Sequence, residues 1–253
     1  MPETSRRLVY SLELMKQGYE EMNGLSVPKI ADVLSLEKAG ILQDYFDGTQ
    51  EPSFHFLETY AALFGINQNW LKYGEREPFL TTEKTCLYAT EYLNRIKELS
   101  PEIIYFIRSD KKEGNSGILL KLSEYKYTYF PKTWYISSHV GSTGETQIFE
   151  FYRLIEALKA QKRSVNPPYY CQGRIVNSKD FNNLFCGKIY PGSIIAFNEN
   201  PWWDDFTDFN QSYAYAQEYE QMYGKEFIKA QETLKYLWEK IKERNETDLY
   251  KFP

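Results

Sequence analysis

The stretch that most constrains this chain is Leu25 to Ser53, LSVPKIADVLSLEKAGILQDYFDGTQEPS. Ser26 is placed to cap a first short helix. Pro28 falls in its first turn, where a missing N–H costs least. Ile30, Ala31 and Leu34 then share one face, and the small Ala31 lets a second helix cross close by. The second helix is expected from about Lys38 to Phe46, with Ile41, Leu42 and Tyr45 inward. Gly48 ends it and Pro52 prevents its resumption. Two short helices crossing at a tight turn form a helix-turn-helix unit.

The segments that follow extend the pattern. Ser53–Ile66 reads SFHFLETYAALFGI and Asn67–Glu75 reads NQNWLKYGE. Together with Leu25–Ser53 they resemble the phage-repressor (Cro/repressor, Xre) family, whose repressors commonly end this domain on a Trp-Leu-Leu-x-Gly-Glu pattern. The resemblance covers residues 6–79, under a third of the chain. Two positions depart from it: Ser35 stands where the turn usually has Gly, and Val27 where Gln or Thr is common. One residue is also inserted before Gly48. The resemblance implies an all-α, five-helix, lambda-repressor-like domain over residues 1–80. It also implies a partner, double-stranded DNA, with Arg6, Arg7, Lys29, Lys38, Gln43, Thr49 and Gln50 as DNA-binding residues. Arg6, Arg7 and Lys29 are expected on phosphates. Lys38 lies near the start of the reading helix, where side chains reach base edges. Gln43 has the donor–acceptor pair that reads adenine. The plain alternative for each is a solvated side chain.

Charge runs against that expectation. Residues 1–80 hold seven Lys/Arg and twelve Asp/Glu, so the chain's whole formal charge of −5 sits there. Phosphate neutralisation dominates non-specific DNA affinity, so a single copy of this domain should bind weakly. Glu37, Asp44 and Asp47 face phosphate poorly. A homodimer would offset this through effective concentration. The three cysteines, Cys86, Cys171 and Cys186, are far apart, which suits a reducing compartment. With no long apolar run, the expectation is a cytoplasmic protein without a membrane partner.

Residues 81–100 read as a connecting helix, from Glu83 to a stop at Pro101. Residues 101–253 read as an α+β domain with antiparallel strands, serving oligomerisation or signal sensing. Strands are expected over 103–107, 118–122, 125–130, 134–137 and in the IIAF run within 189–197, with a hairpin turn over 111–117. Ser138–Glu145, containing His139, is the most site-like loop, and Ser142 with Glu145 fits a capping box for a helix over 146–162. Lys159, Lys162 and Arg163 complement the end of that helix, and Pro167-Pro168 breaks the chain. Helices are expected over 178–185 and 224–243. Phe227, Leu234, Leu237, Trp238 and Ile241 stripe the last one, which pairs with its copy or packs internally. Trp202–Phe209 reads as a core edge or a protein-binding patch.

Catalytic chemistry is not expected. No Ser/Lys self-cleavage pattern is present, and the only Ala-Gly pair, Ala39-Gly40, lies inside the reading helix. No phosphate-binding glycine motif occurs, and the scattered Cys and His suit neither zinc nor a nucleophilic pair. No cofactor and no metal are therefore expected. Two functional classes fit. The first is a sequence-specific DNA-binding transcriptional regulator, acting as a repressor-like homodimer. The second is a protein-interaction adaptor or antitoxin-like protein that keeps the helix-turn-helix fold, with a protein partner for the C-terminal domain.

Overall fold

The structure is a computed structural model that describes residues 1–17, 24–111, 114–137, 141–162, 169–208 and 213–244. The end of the first helix, expected over 6–22 with Tyr19 continuing its Leu8, Leu12 and Met15 stripe, lies outside the described residues, as do part of the expected hairpin turn, Ser138 with His139, Arg163, the Pro167-Pro168 break and Phe209. The chain divides into two units. One comprises residues 1–82, 123–128 and 182–196. The other comprises 83–122, 129–181 and 197–253.

In the first unit, α1 (Glu3–Lys16) turns Leu8, Leu12 and Met15 inward. Helix α2 (Val27–Val33) opens at Ser26, whose hydroxyl accepts from the Lys29 N–H at 3.4 Å. The chain reverses at Ser35, which takes the left-handed φ of 55° where the family resemblance expects Gly. Helix α3 (Ala39–Asp47) stops at Gly48, φ 72°, where a Cβ would also lie 2.8 Å from the Met1 side chain. The inward pair on α3 is Leu42 and Phe46, while Ile41 and Tyr45 are half-buried. The i, i+4 pair fills the centre of the face, so its neighbours fall to the edges. Tyr45 instead lies against Phe56, ring centroids 4.8 Å apart.

Helix α4 (Phe54–Phe64) is capped by Ser53, and α5 (Gln68–Tyr73) by Asn67. Tyr60, fully buried, sits at the centre with the rings of Phe46, Phe56 and Phe64 around it. Its phenol lies 3.2 Å from the Ser11 hydroxyl, and burial holds it neutral far above its ordinary range. Each such fully buried aromatic contributes about 1.5–3 kcal/mol by leaving water.

Residues 123–128 and 182–196 complete this core. Phe64 meets Tyr125 at 5.7 Å and Phe79 meets Tyr190 at 5.5 Å. The Phe79 N–H donates to Gly187 O at 2.9 Å, so the segment after Pro78 is held by backbone as well as by rings. The IIAF run expected as a strand instead falls, up to Ala196, in a 3-10 helix, Pro191–Ala196. The Ser193 N–H and hydroxyl both donate to Tyr190 O, at 3.0 and 2.7 Å, which curls the backbone before a strand can form.

In the second unit, α6 (Ala89–Leu99) begins six residues later than expected. Two carboxylates fix that start. Glu91 accepts from the Leu87 N–H at 2.7 Å and Glu150 from the Ala89 N–H at 2.8 Å, satisfying donors that the first turn leaves open. Strand β1 (Ile103–Ser109) pairs antiparallel with β2 (Asn115–Lys121), Ile103 opposite Lys121. Strands β3 (Tyr127–Tyr129) and β4 (Trp134–Tyr135) follow. Helix α7 (Gly141–Lys162) then leads to β5 (Tyr170–Val176), which runs parallel to β1. The result is a mixed five-stranded sheet of order β3-β2-β1-β5 with β4 on β2, rather than the antiparallel one expected. The long connection through α7 is what a parallel neighbour requires. The sheet and the helices together make an α+β protein.

Helix α7 starts before Ser142, so the Ser142/Glu145 pair lies inside it and is not a cap. The Ser142 carbonyl accepts from the Thr146 hydroxyl instead, at 3.2 Å. Helices α8 (Ser178–Phe185), α9 (Trp202–Thr207), α10 (Tyr213–Tyr223) and α11 (Lys225–Glu243) complete the order. The Trp/Asp segment is thus helical, with Trp202 and Phe206 wholly buried. Ile104, Phe106, Ile118 and Leu120 of the sheet face Phe151, Ile155 and Leu158 of α7 in one core with Phe227 and Leu234 of α11. Among the described residues no helix is long and apolar enough to cross a membrane.

Candidate nucleic-acid interface

The candidate interface is built by α2, α3 and the loop that leaves α3. Lys29 projects from the first turn of α2 and is exposed. Lys38 is the N-cap of α3, in extended backbone, and is also exposed. Neither makes an ion pair among the described residues. Both ammonium groups are therefore available to an anion without breaking an existing contact.

The other expected contacts are already engaged. Gln43 is exposed, but its amide donates to the Asp47 carboxylate at 2.9 Å one turn along. The Thr49 hydroxyl donates to the Asp44 carbonyl at 3.2 Å and lies 3.3 Å from its carboxylate. The Gln50 N–H donates to the same carbonyl at 3.2 Å, leaving its exposed side chain outward. The outer face of α3 thus offers one cation at its start and two carboxylates, Asp44 and Asp47, along it. An approaching phosphate would meet repulsion from that end, which orients a polyanion toward Lys38.

Away from α3, Arg6 pairs with Glu3 at 2.7 Å, both largely exposed. Such a pair is worth at most about 1 kcal/mol and gives way readily to another anion. Arg7 is different. Its Nε donates to Leu71 O at 2.8 Å and a terminal nitrogen to Lys72 O at 2.7 Å. It closes the C-terminus of α5 against α1. Sequence spacing carries no sign of this contact, because the acceptors are backbone atoms more than sixty residues away.

Arg76 was not singled out from the sequence. It is exposed and carries a positive φ of 65° just after α5. Among the described residues, no group of three or more His, Cys, Asp or Glu side chains is placed to hold a metal. Cys86 and Cys171 are buried and Cys186 is exposed, none in a disulfide. No protein-family model, no curated protein and no solved structure matches this chain.

Proposed function

We propose that the protein is a sequence-specific, double-stranded-DNA-binding transcriptional regulator of the phage-repressor-like type. In this reading α3 enters the major groove, and the C-terminal region mediates homodimerisation and signal sensing. One observation carries it. Lys29 and Lys38 stand exposed and free of carboxylate partners at the starts of two short helices joined by a tight turn. Lys38 then reaches a base edge, Lys29 and Arg6 neutralise phosphates, and the carboxylates of α3 exclude wrong registers. Two half-sites supply the affinity that one acidic domain lacks.

The test is a salt titration by fluorescence anisotropy on random duplex and on captured genomic fragments. A linear fall of log affinity with log salt, plus a small set of fragments held far more tightly than the rest, supports the reading. Absence of binding at low salt with the protein at its native oligomeric state overturns it.

A second reading, a protein-interaction adaptor or antitoxin-like protein, draws on a separate observation. Phe54 and Tyr73 are 61% and 59% exposed, their rings 6.5 Å apart, on a unit whose net charge is negative. Exposed paired aromatics beside charge are common at protein interfaces.

A further inference from the structure

The second unit contains a cleft of about 170 Å³ between α7, α9 and α11. Its walls are regular. Tyr152 and Glu156 stand one turn apart on α7. Lys235, Trp238, Glu239 and Lys242 stand at i, i+3, i+4 and i+7 on the facing side of α11. Thr207 of α9 lines it too. The rings of Tyr152 and Trp238 lie 6.3 Å apart at 60°, leaving an aromatic corner. Burial pushes the Tyr152 phenol up to about 12, so it stays a neutral donor.

The charges in the cleft are not spent on one another. Lys235 and Glu239 have the i, i+4 spacing at which helix pairs usually close, yet no ion pair forms between them. Among the described residues Lys242 has no carboxylate partner, and it lies 5.9 Å from the Trp238 ring. Glu156 is only partly neutralised. Lys159, 3.2 Å from its Oε1, is drawn to Asp204 at 2.6 Å, and that Oε1 is buried without a hydrogen bond.

Two cations and two anions around one aromatic corner select against simple ions. A monoanion attracted by Lys235 and Lys242 also meets the carboxylates of Glu156 and Glu239 in the same cleft, and a monocation meets the reverse. Only a ligand bearing both charges pairs each. We infer that this cleft binds a free α-amino acid with an apolar side chain. The carboxylate is held by Lys235 and Lys242, the ammonium by Glu156 and Glu239, and the side chain rests in the Tyr152–Trp238 corner. The volume suits the side chain alone, since a cavity of about 150 Å³ admits a benzene-sized group, and the charged end lies at the open mouth among the exposed Lys235, Glu239 and Lys242. The inference deepens the sensing role proposed above and rests on that reading for its biological meaning alone.

The experiment uses the full-length protein without DNA, titrated with L-leucine and L-phenylalanine and followed by saturation-transfer NMR. Their N-acetyl and carboxamide derivatives, each lacking one charge, serve as comparators. The free amino acids should bind, and each blocked derivative should bind about tenfold more weakly or worse. Lys235→Gln with Lys242→Gln should weaken the free amino acid about tenfold and leave the carboxamide unchanged, whereas Glu239→Gln should leave the N-acetyl derivative unchanged. Lys225→Gln, at the exposed start of α11, should change nothing. Absence of binding at millimolar amino acid, or equal binding of free and blocked forms, overturns the inference. Because no DNA is present, that failure leaves the DNA-binding proposal standing, and a protein that ignores DNA can still pass this test.

Discussion

The Arg7 guanidinium donates to two carbonyls at the end of α5, and this decides what its loss will do. Hydrogen bonds from a charged donor are worth about 1.5–3 kcal/mol each. Arg7→Ala should therefore lower the unfolding free energy by about 2–4 kcal/mol in urea melts. Arg6→Ala should leave the melt unchanged and, if the regulator reading holds, flatten the salt slope of DNA binding on all sequences alike. Lys38→Ala should instead cost about 1–3 kcal/mol of discrimination between a specific site and random duplex. Equal weakening on both would make Lys38 a phosphate contact. The buried tyrosines set the alkaline limit. An exposed phenol ionises near pH ~10. Burial raises Tyr60 and Tyr223 well above that in the folded chain, with the Asp205 carboxylate adding to the rise at Tyr223. The neutral form is thus favoured on folding, so the stabilisation is complete below pH ~10 and falls as pH rises past it. Circular dichroism melts between pH 8 and 11 should show a Tm that is flat at first and then declines. A Tm that rises through that window would contradict the sign.

At the scale of elements, α9 is tied to both α10 and α11 through one residue, Asp205. Asp205 accepts from the Tyr219 hydroxyl at 2.8 Å and from the Tyr223 hydroxyl at 2.6 Å. Its carbonyl accepts from the Gln231 amide at 2.8 Å. Asp205→Ala strands two phenols and should cost about 3 kcal/mol, with the early loss of hydrogen-exchange protection in α10 and α11. Asp205→Asn, which keeps one acceptor, should recover part of it. The contrast between such elements and α2–α5 explains what could be read from the chain. Ser26, Ser53, Asn67 and Gly48 act on backbone within four residues, so spacing alone locates the helix ends they set. Strand β5 carries no such mark. Its neighbour β1 lies over sixty residues earlier, its YCQGRIV run does not alternate, and Gly173 is needed because the Asn200 carbonyl sits 2.1 Å from where a Cβ would be. The start of α6 departs from the expected Glu83 for the same reason, since Glu150 caps it from α7. At the candidate interface, the positions of Lys29 and Lys38 were legible. The commitment of Gln43 to Asp47 and of Arg7 to α5 was not, because side-chain partners are chosen by geometry that spacing does not encode.

At the scale of the molecule, the first unit is not the first stretch of chain. Residues 1–82 take in two later segments, 123–128 and 182–196, and those segments bring Tyr125, Tyr127 and Tyr190. Phe79, 2% exposed, rests on the Tyr190 ring, and Phe64, 1% exposed, on Tyr125. Tyr190 itself is fixed by donating to Tyr125 O at 2.8 Å and by an edge contact with Tyr127 at 5.7 Å. A fragment ending at Thr82 keeps all five helices α1–α5 and every local cap, yet loses the Tyr190 ring from Phe79 and the Tyr125 ring from Phe64. Exposing two such side chains forfeits about 3–6 kcal/mol, a large share of what a domain of this size holds. The fragment should therefore melt well below the full chain and aggregate at concentrations where the full chain stays in solution. The double variant Phe79→Ala, Phe64→Ala in the full chain should show at least as large a loss in urea melts, because it removes those contacts and the Phe64–Tyr60 contact as well. Ending the chain before Gly224 should likewise unfold the second unit rather than only dissociate a dimer, since Phe227 and Leu234 are wholly buried in that unit's own core. A fragment 1–82 as stable as the intact chain would show that the later segments cover the first unit without supporting it. The Trp70–Tyr10 side of α1 and α5 would then have to supply the missing stability.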